Sequence, residues 1–257
     1  MTKLIMQMNI IVANTNCVLN SVPFFVEVPY TMKPGMRALG ESEPITYQDS
    51  LRPFYLAEKQ RLCSVIFGDN ATKKLQNLAL TYLQCNTFRE ATVKYQEDFV
   101  VWAPNTKGEL STQVMSVCFP SGWSPEEKIN QTFAEIHEPV ADNSLIQASA
   151  SHIAKMITQK GPFIRHVWTV TNSNSLSQHP KVKKPWSNEK LDQMWYRVER
   201  QTIVPLGDAA LFFIRVYVTP LFTMNVNTIK ESINTMTDAV LEYKNLNYVK
   251  KVLNEDF

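Results

Sequence analysis

The stretch YRVERQTIVPLGDAALFFIRVYV, residues 196–218, sets Arg197, Glu199, Arg200 and Arg215 among β-branched and aromatic residues. Charged side chains are almost never fully buried unless paired, so each of these needs a partner or a ligand. In an extended strand alternate residues share a face. Trp195, Arg197, Glu199, Gln201 and Ile203 then lie on one side, and Leu211, Phe213, Arg215 and Tyr217 share a side of the following strand. With Pro205-Leu206-Gly207-Asp208 as the turn, residue 199 falls opposite 214 or 215, and 197 opposite 216 or 217. Two readings follow, and spacing does not choose between them. In one, Glu199 and Arg215 neutralise each other as a cross-strand ion pair on a half-exposed face. In the other, Arg197 is left over beside Tyr217 and offers a guanidinium to an anionic or planar ligand. A carboxylate held in a pocket at Glu199 would recognise a cationic amine or take a proton.

The imidazoles are few: His137, His152, His166 and His179. His137 closes SPEEKINQTFAEIHEPV, where a helix C-terminus favours a histidine. His179 lies in SLSQHPKVKKPW beside Lys181, Lys183 and Lys184, a setting that also suits a solvated side chain. His166 and His152 read as packing or surface positions. Trp123 and Trp168 suit a core. GDNATKK lacks the spacing of a phosphate loop, and PSGW does not form a nucleophile elbow.

The elements that must position these residues follow from periodicity. Ser50–Phe67 and Ala71–Phe88 have helical spacing. KYQEDFVVWAP and STQVMSVCFP read as a hairpin around Gly108. Ser124 as N-cap, Pro125 and Glu127 form a capping-box pattern that starts a helix stopped by Pro139. Another helix runs from Ser144 to Gln159 and ends at Gly161-Pro162. Three strands follow, FIRHVWTV, MWYRVERQTIV and AALFFIRVYV, then a helical segment from Thr228 to Val252. This order predicts an α+β fold: a PAS-like antiparallel sheet with helices on one face, plus N-terminal and C-terminal helical segments. Residues 1–21 read as an irregular N-terminal segment, and 22–257 as a single domain with its core at about 93–220.

A chain of 257 residues with a net charge of +2 and scattered lysines and arginines does not point to nucleic acid. No apolar run reaches the length of a membrane span, so no stable membrane insertion is expected. The lysine and apolar residues of MTKLIMQMNIIVANTNC suggest a weak signal peptide, but Gln7, Asn9 and Asn14 interrupt the run. Cys17, Cys63, Cys85 and Cys118 show no CxxC spacing and read as reduced thiols in a cytoplasmic protein.

YRVERQTIVPLGDAALFFIRVY resembles an Arg-x-Glu-Arg-Gln-Thr strand, a short turn and an apolar strand ending in Ile-Arg-x-Tyr. YQEDFVVW, CFPSGWSPEEKINQTFAEIHEPV and PFIRHVWTV precede it in matching order, with MKPGMRAL near the start and LEYKNL near the end. Together, over roughly residues 22–246, these motifs resemble the heme-dependent oxidative N-demethylase alpha-subunit-like family. The resemblance implies a PAS-like sheet around heme b, with one histidine on the iron. His179 or His137 would be that metal ligand. It implies a monooxygenase that uses dioxygen to oxidise an N-methyl group of a small amine, giving a carbinolamine that falls to formaldehyde. Electrons would come from a separate flavin and iron–sulfur reductase. Arg197 and Glu199 become the catalytic candidates, and Arg215, Tyr217 and Trp168 join Arg197 around the cofactor. The family's Arg-x-Asn-Trp is here Arg165-His166-Val167-Trp168, and its Arg-Leu-Pro turn is Val204-Pro205-Leu206-Gly207. Those departures leave a second reading open, a heme or small-molecule sensing module that has kept the fold and lost turnover.

Overall fold

The computed structural model describes residues 22–46, 49–62 and 64–255; the expected N-terminal segment, Cys17 and Cys63 lie outside the described residues. A short strand β1 (Arg37–Ala38) precedes helix α1 (Arg52–Leu62) and strand β2 (Ile66–Phe67). Helices α2 (Lys73–Leu83) and α3 (Phe88–Lys94) lead into the hairpin β3 (Asp98–Pro104) and β4 (Leu110–Ser116). Four short helices follow, α4 (Pro125–Lys128), α5 (Phe133–His137), α6 (Ser144–Ala148) and α7 (Ala150–Gln159). Strands β5 (Phe163–Thr171), β6 (Trp195–Leu206) and β7 (Ala209–Pro220) complete an antiparallel sheet of order β1-β5-β6-β7-β3-β4-β2. Helices α8 (Val226–Asn234), α9 (Asp238–Tyr243) and α10 (Asn247–Glu255) end the described chain.

The β6–β7 hairpin turns in two residues, because Leu206 pairs with Ala209 and Gly207 adopts φ +70°. A positive φ of that kind is what such tight hairpin loops require. The register sets Glu199 opposite Val216 and Arg200 opposite Arg215, which corrects the expected Glu199–Arg215 pair. A one-residue slip sends a side chain to the other face. Arg215 therefore lies on the side away from Glu199.

Facing arginines repel across a strand pair. Here Glu43, Pro44 and Asp49 supply acceptors to the two guanidinium groups. Arg200 donates to the carbonyls of Glu43 (2.6 Å) and Pro44 (3.1 Å), and the Thr202 hydroxyl donates to Pro44 O (2.6 Å). Arg215 pairs with Asp49 at 2.6 Å and lies over the rings of Tyr55 and Tyr217.

Helices cover both faces of the sheet, not one. Tyr196 and Val198 pack with Ile229, Ile233 and Val249 of the C-terminal helices, while α2 and α3 cover Phe99, Val101 and Phe213 on the same side. On the other side Val100, Trp102 and Ile203 meet Ile153 and Ile157 of α7. Strands apolar on both sides need cover on both sides, and β3 is such a strand, with Phe99 and Val101 on one face and Val100 and Trp102 on the other.

Expected long helices are broken. Ser124 stands at the N-cap with Pro125 in the first turn, as expected, but its side chain makes no capping hydrogen bond; the capping box belongs to Thr132 and Glu135, and an extended turn separates α4 from α5. There Asn130 takes φ +66°, Asn130 N donates to Thr112 O, and Thr112 N donates to Gln131 O. Pairing with β4 outcompetes helix continuation. Ile66–Phe67, expected in a helix, instead pairs with Met115 and Val114 as an edge strand. The C-terminal helical segment divides where Thr237 caps α9 and where Asn245 takes φ +56°.

Helix α1 is pinned to the sheet by a sealed ion pair. Lys59 Nζ lies 2.9 Å from Asp98 Oδ1, both side chains fully buried, and donates to Glu97 O. The other Asp98 oxygen accepts from the amides of Cys118 and Phe119. Removing one partner strands a buried charge. Lys59→Met is therefore expected to lower unfolding stability by about 3–5 kcal/mol in urea titrations. A loss near zero would show that this pair does not anchor α1.

Candidate functional site

The face of the sheet carrying Arg197, Glu199 and Gln201 forms the floor of a cavity of about 730 Å³. From β5, Arg165, Val167 and Thr169 share that face, since they pair directly with Gln201, Glu199 and Arg197. Val100, Trp102, Met115 and Phe212 make its apolar part. Walls come from Phe133, Ile136 and His137 of α5, from Tyr30 and Met32 ahead of β1, and from Tyr243 and Lys244 at the end of α9. The volume is that of a pocket for a sizeable organic ligand.

His137 reaches the wall because the Thr132–Glu135 capping box and the Ser111–Thr132 bridge fix α5 against β4. Its Nδ1 lies 2.7 Å from Phe133 O, and the Phe133 ring packs 4.2 Å from the imidazole. Burial lowers its pKa from the usual histidine value, and Arg165 and Lys128 lower it further. The neutral ring donates through Nδ1 to that carbonyl, and no described residue donates to Nε2. A backbone acceptor on one ring nitrogen is the support that metal-ligating histidines have.

Along the floor runs a polar chain. Gln201 Nε2 donates to Glu199 Oε2 at 2.7 Å, the Ser121 hydroxyl donates to Glu199 Oε1, and Arg197 Nε donates to Ser121 Oγ at 2.7 Å. Arg197 spends its other nitrogens on the carbonyls of Leu176 (2.8 Å), Phe119 (2.9 Å) and Ser175 (3.4 Å). Its guanidinium is not the spare one expected from the sequence. Arg197 clamps the 119–121 and 175–176 loops and, through Ser121, holds the Glu199 carboxylate in place.

The cations without such partners are others. Arg165 makes no hydrogen bond or ion pair to a described residue, and its buried Nε is unsatisfied. Burial lowers its pKa, and the charge of Glu199 opposes the shift. Thr169 Oγ1 is also buried without a partner. Lys244 Nζ donates to Trp168 O at 2.6 Å and lies over the rings of Tyr30 and Trp168. Burial pushes its pKa down to about 8. Tyr30 is pushed up to about 12 by burial and stays a neutral phenol.

The structure thus gathers His137, Arg197 and Glu199 at one cavity; Trp168 borders it but turns its ring to the opposite face with Tyr196 and Val198, and three candidates lie outside it. His179 is not part of the lining: its Nε2 lies 3.2 Å from Glu126 and its Nδ1 accepts from Lys181 N. Both nitrogens are engaged. Arg215 and Tyr217 belong to the opposite side of β7. Reading the residues one by one missed Arg165, Thr169 and Lys244. Extending the strand alternation from β6 to FIRHVWTV could have found the first two; nothing local marks Lys244. Among the described residues no three His, Cys, Asp or Glu side chains gather as a metal cluster, and no helix is long and apolar enough to cross a membrane.

A family model described as "Haem-dependent oxidative N-demethylase, alpha subunit-like" matches residues 54–254, which includes every sheet strand but β1. The chain belongs to that family. No curated protein matches it.

Two desolvated groups give the molecule a defined pH response. His166 stacks on Phe25 at 3.7 Å, and burial pushes its pKa to about 4. Between the ordinary 6.5 and about 4 the unfolded chain binds a proton that the folded one refuses, so stability falls as pH drops through that window. For Lys244 the unfolded chain holds the extra proton between about 8 and 10.5, so stability rises with pH across it. Urea midpoints taken from pH 4 to 9.5 should show both slopes. His166→Phe should flatten the acid one and Lys244→Met the alkaline one. Variant curves parallel to wild type would contradict the assigned desolvation.

Proposed function

From this membership we propose that the cavity holds heme b through His137 and oxidatively N-demethylates a small amine held at Glu199. The observation that carries the reading is the neutral, wall-mounted His137, with Nε2 unclaimed by described residues, sharing one cavity with a buried carboxylate. These residues fit the cofactor: one imidazole is the protein ligand that a heme iron needs, apolar side chains line part of the cavity, and unpaired cations suit carboxylates. When bound, the heme supplies the oxygen-activating chemistry, with electrons from a separate flavin and iron–sulfur reductase.

The chain's own residues do the rest. Glu199 recognises the ammonium, and its hydrogen bonds from Ser121 and Gln201 fix both oxygens. Arg197 acts through Ser121 as a positioning residue. Trp102, Phe133 and Met115 exclude water from the face where a methyl group would lie. The PAS-like reading of the core, about residues 93–220, is supported by a hairpin, helices and three strands with the last strand beside the first. Cysteines without disulfide spacing support a cytoplasmic setting.

One observation favours a second reading, a heme or small-molecule binding module without turnover. The residue directly across from Glu199 is Val167, where the family pattern has an asparagine. An apolar neighbour there removes a polar contact to a substrate.

Heme titration of the purified chain should give a Soret band that shifts with CO. His137→Ala should abolish it and His179→Ala should leave it intact; the reverse result would move the ligand to the 172–186 loop. With a reductase, small N-methylamines should release formaldehyde, and Glu199→Gln should lower kcat/KM roughly 30-fold or more. A heme protein that releases none under these conditions is the binding module instead.

A further inference from the structure

The cavity contains more positive charge than its own residues neutralise. Glu27, also in the lining, is committed to Lys33 at 2.7 Å, in the exposed part of the wall. Deeper in, Arg165, Arg197 and Lys244 all feel the single carboxylate of Glu199. Arg197 is satisfied by loop carbonyls and Ser121. Glu199, oriented by Ser121 and Gln201, makes no direct ion pair with Arg165 or Lys244. Arg165 and Lys244 therefore remain, close enough to repel each other and without an anionic partner among the described residues. Burial raises the pKa of the Tyr30 and Tyr243 phenols, so they supply no negative charge to Arg165. Uncompensated cations in a desolvated wall cost free energy, and an incoming anion recovers that cost.

We infer that Arg165 and Lys244, with the unpartnered hydroxyl of Thr169, form a carboxylate-binding subsite next to the amine-binding Glu199. An α-amino acid has its nitrogen and carboxylate one carbon apart, so an N-methylated amino acid would engage both charges at once. A porphyrin propionate offers the same carboxylate chemistry from the cofactor side. The guanidinium grips a carboxylate through paired N–H donors, whereas the ammonium contributes a point charge. In the first case the substrate is a zwitterion and a simple amine is a poor ligand. The second case leaves the amine class open and assigns the two cations to cofactor retention. This inference rests on the reading above in taking the cavity as a ligand site and, for its substrate case, Glu199 as the amine contact.

Two matched pairs of probes decide it on the full-length chain. Sarcosine and dimethylamine differ by a carboxylate, and their binding to the heme-free protein is read by calorimetry. Heme and heme dimethyl ester differ by their free propionates, and their binding is read from the Soret band. In the wild type, one pair or both should show the acid form binding at least tenfold more tightly. Arg165→Met and Lys244→Met should each erase that preference, whereas Arg165→Lys should retain part of it. A preference only for sarcosine assigns the subsite to substrate, and a preference only for heme over its ester assigns it to the cofactor. Equal binding within both pairs, or no binding of any probe, overturns the inference. The wild-type comparison stands even where a variant fails to fold. A chain that binds neither porphyrin but prefers sarcosine would sink the heme reading and keep the subsite.

Discussion

In the β6–β7 hairpin, a two-residue turn sets Glu199 opposite Val216 and Arg200 opposite Arg215, and strand alternation then assigns every charge of that hairpin to a face. Arg197 and Glu199 go to the cavity; Arg200 and Arg215 go to the other side. Had the turn been one residue longer on one strand, the pairing would have shifted and carried the whole set across the sheet. The same register extends into β5, where Arg165, Val167 and Thr169 complete the floor. A side-chain period of two, propagated over three strands, thus fixes the polar composition of the site.

The two faces handle their charges differently. On the side away from the cavity, acceptors are brought to the arginines: carbonyls of Glu43 and Pro44 for Arg200, and the Asp49 carboxylate for Arg215. That arrangement ties Glu43, Pro44 and Asp49, between β1 and α1, to the sheet. On the cavity side only Arg197 receives such treatment, and it in turn tethers two loops and orients Glu199. Arg165 and Lys244 are left desolvated beside open space. Buried polar groups are as a rule satisfied; at the cavity Arg165 Nε and Thr169 Oγ1 are not, and on the other face Arg215 keeps Nε and one terminal nitrogen unpaired beside its Asp49 contact.

His137 depends on a different constraint. A continuous helix from Pro125 to Pro139 would have been the simple local outcome of its sequence. Instead residues 129–132 are drawn out to hydrogen-bond with Thr112 of β4, and α5 restarts with its own capping box. The backbone pairing beats local helix propensity because it satisfies the edge of β4 and seals the cavity wall with Phe133 and Ile136. The imidazole that results is neutral and braced on a carbonyl.

The sequence by itself determined the α+β class, the β3–β4 hairpin, the three long closing strands and the grouping of Arg197 with Glu199 on one strand face. These rest on local rules, alternation and turn residues, that hold wherever the chain goes. The motifs quoted from it also carried the family. Tertiary structure decided the rest. It placed Arg215 away from Glu199, because register depends on one residue of turn length. It put helices on both faces, because cover is a property of the packed sheet. His179 was tied to Glu126, and His137 was set on the cavity wall, by contacts spanning 53 residues in one case and a β-bridge in the other. Lys244 became part of the site only when the end of α9 docked beside Trp168, 76 residues earlier in the chain. Which cation is neutralised and which is left for a ligand is set by such distant neighbours, and no local pattern encodes them.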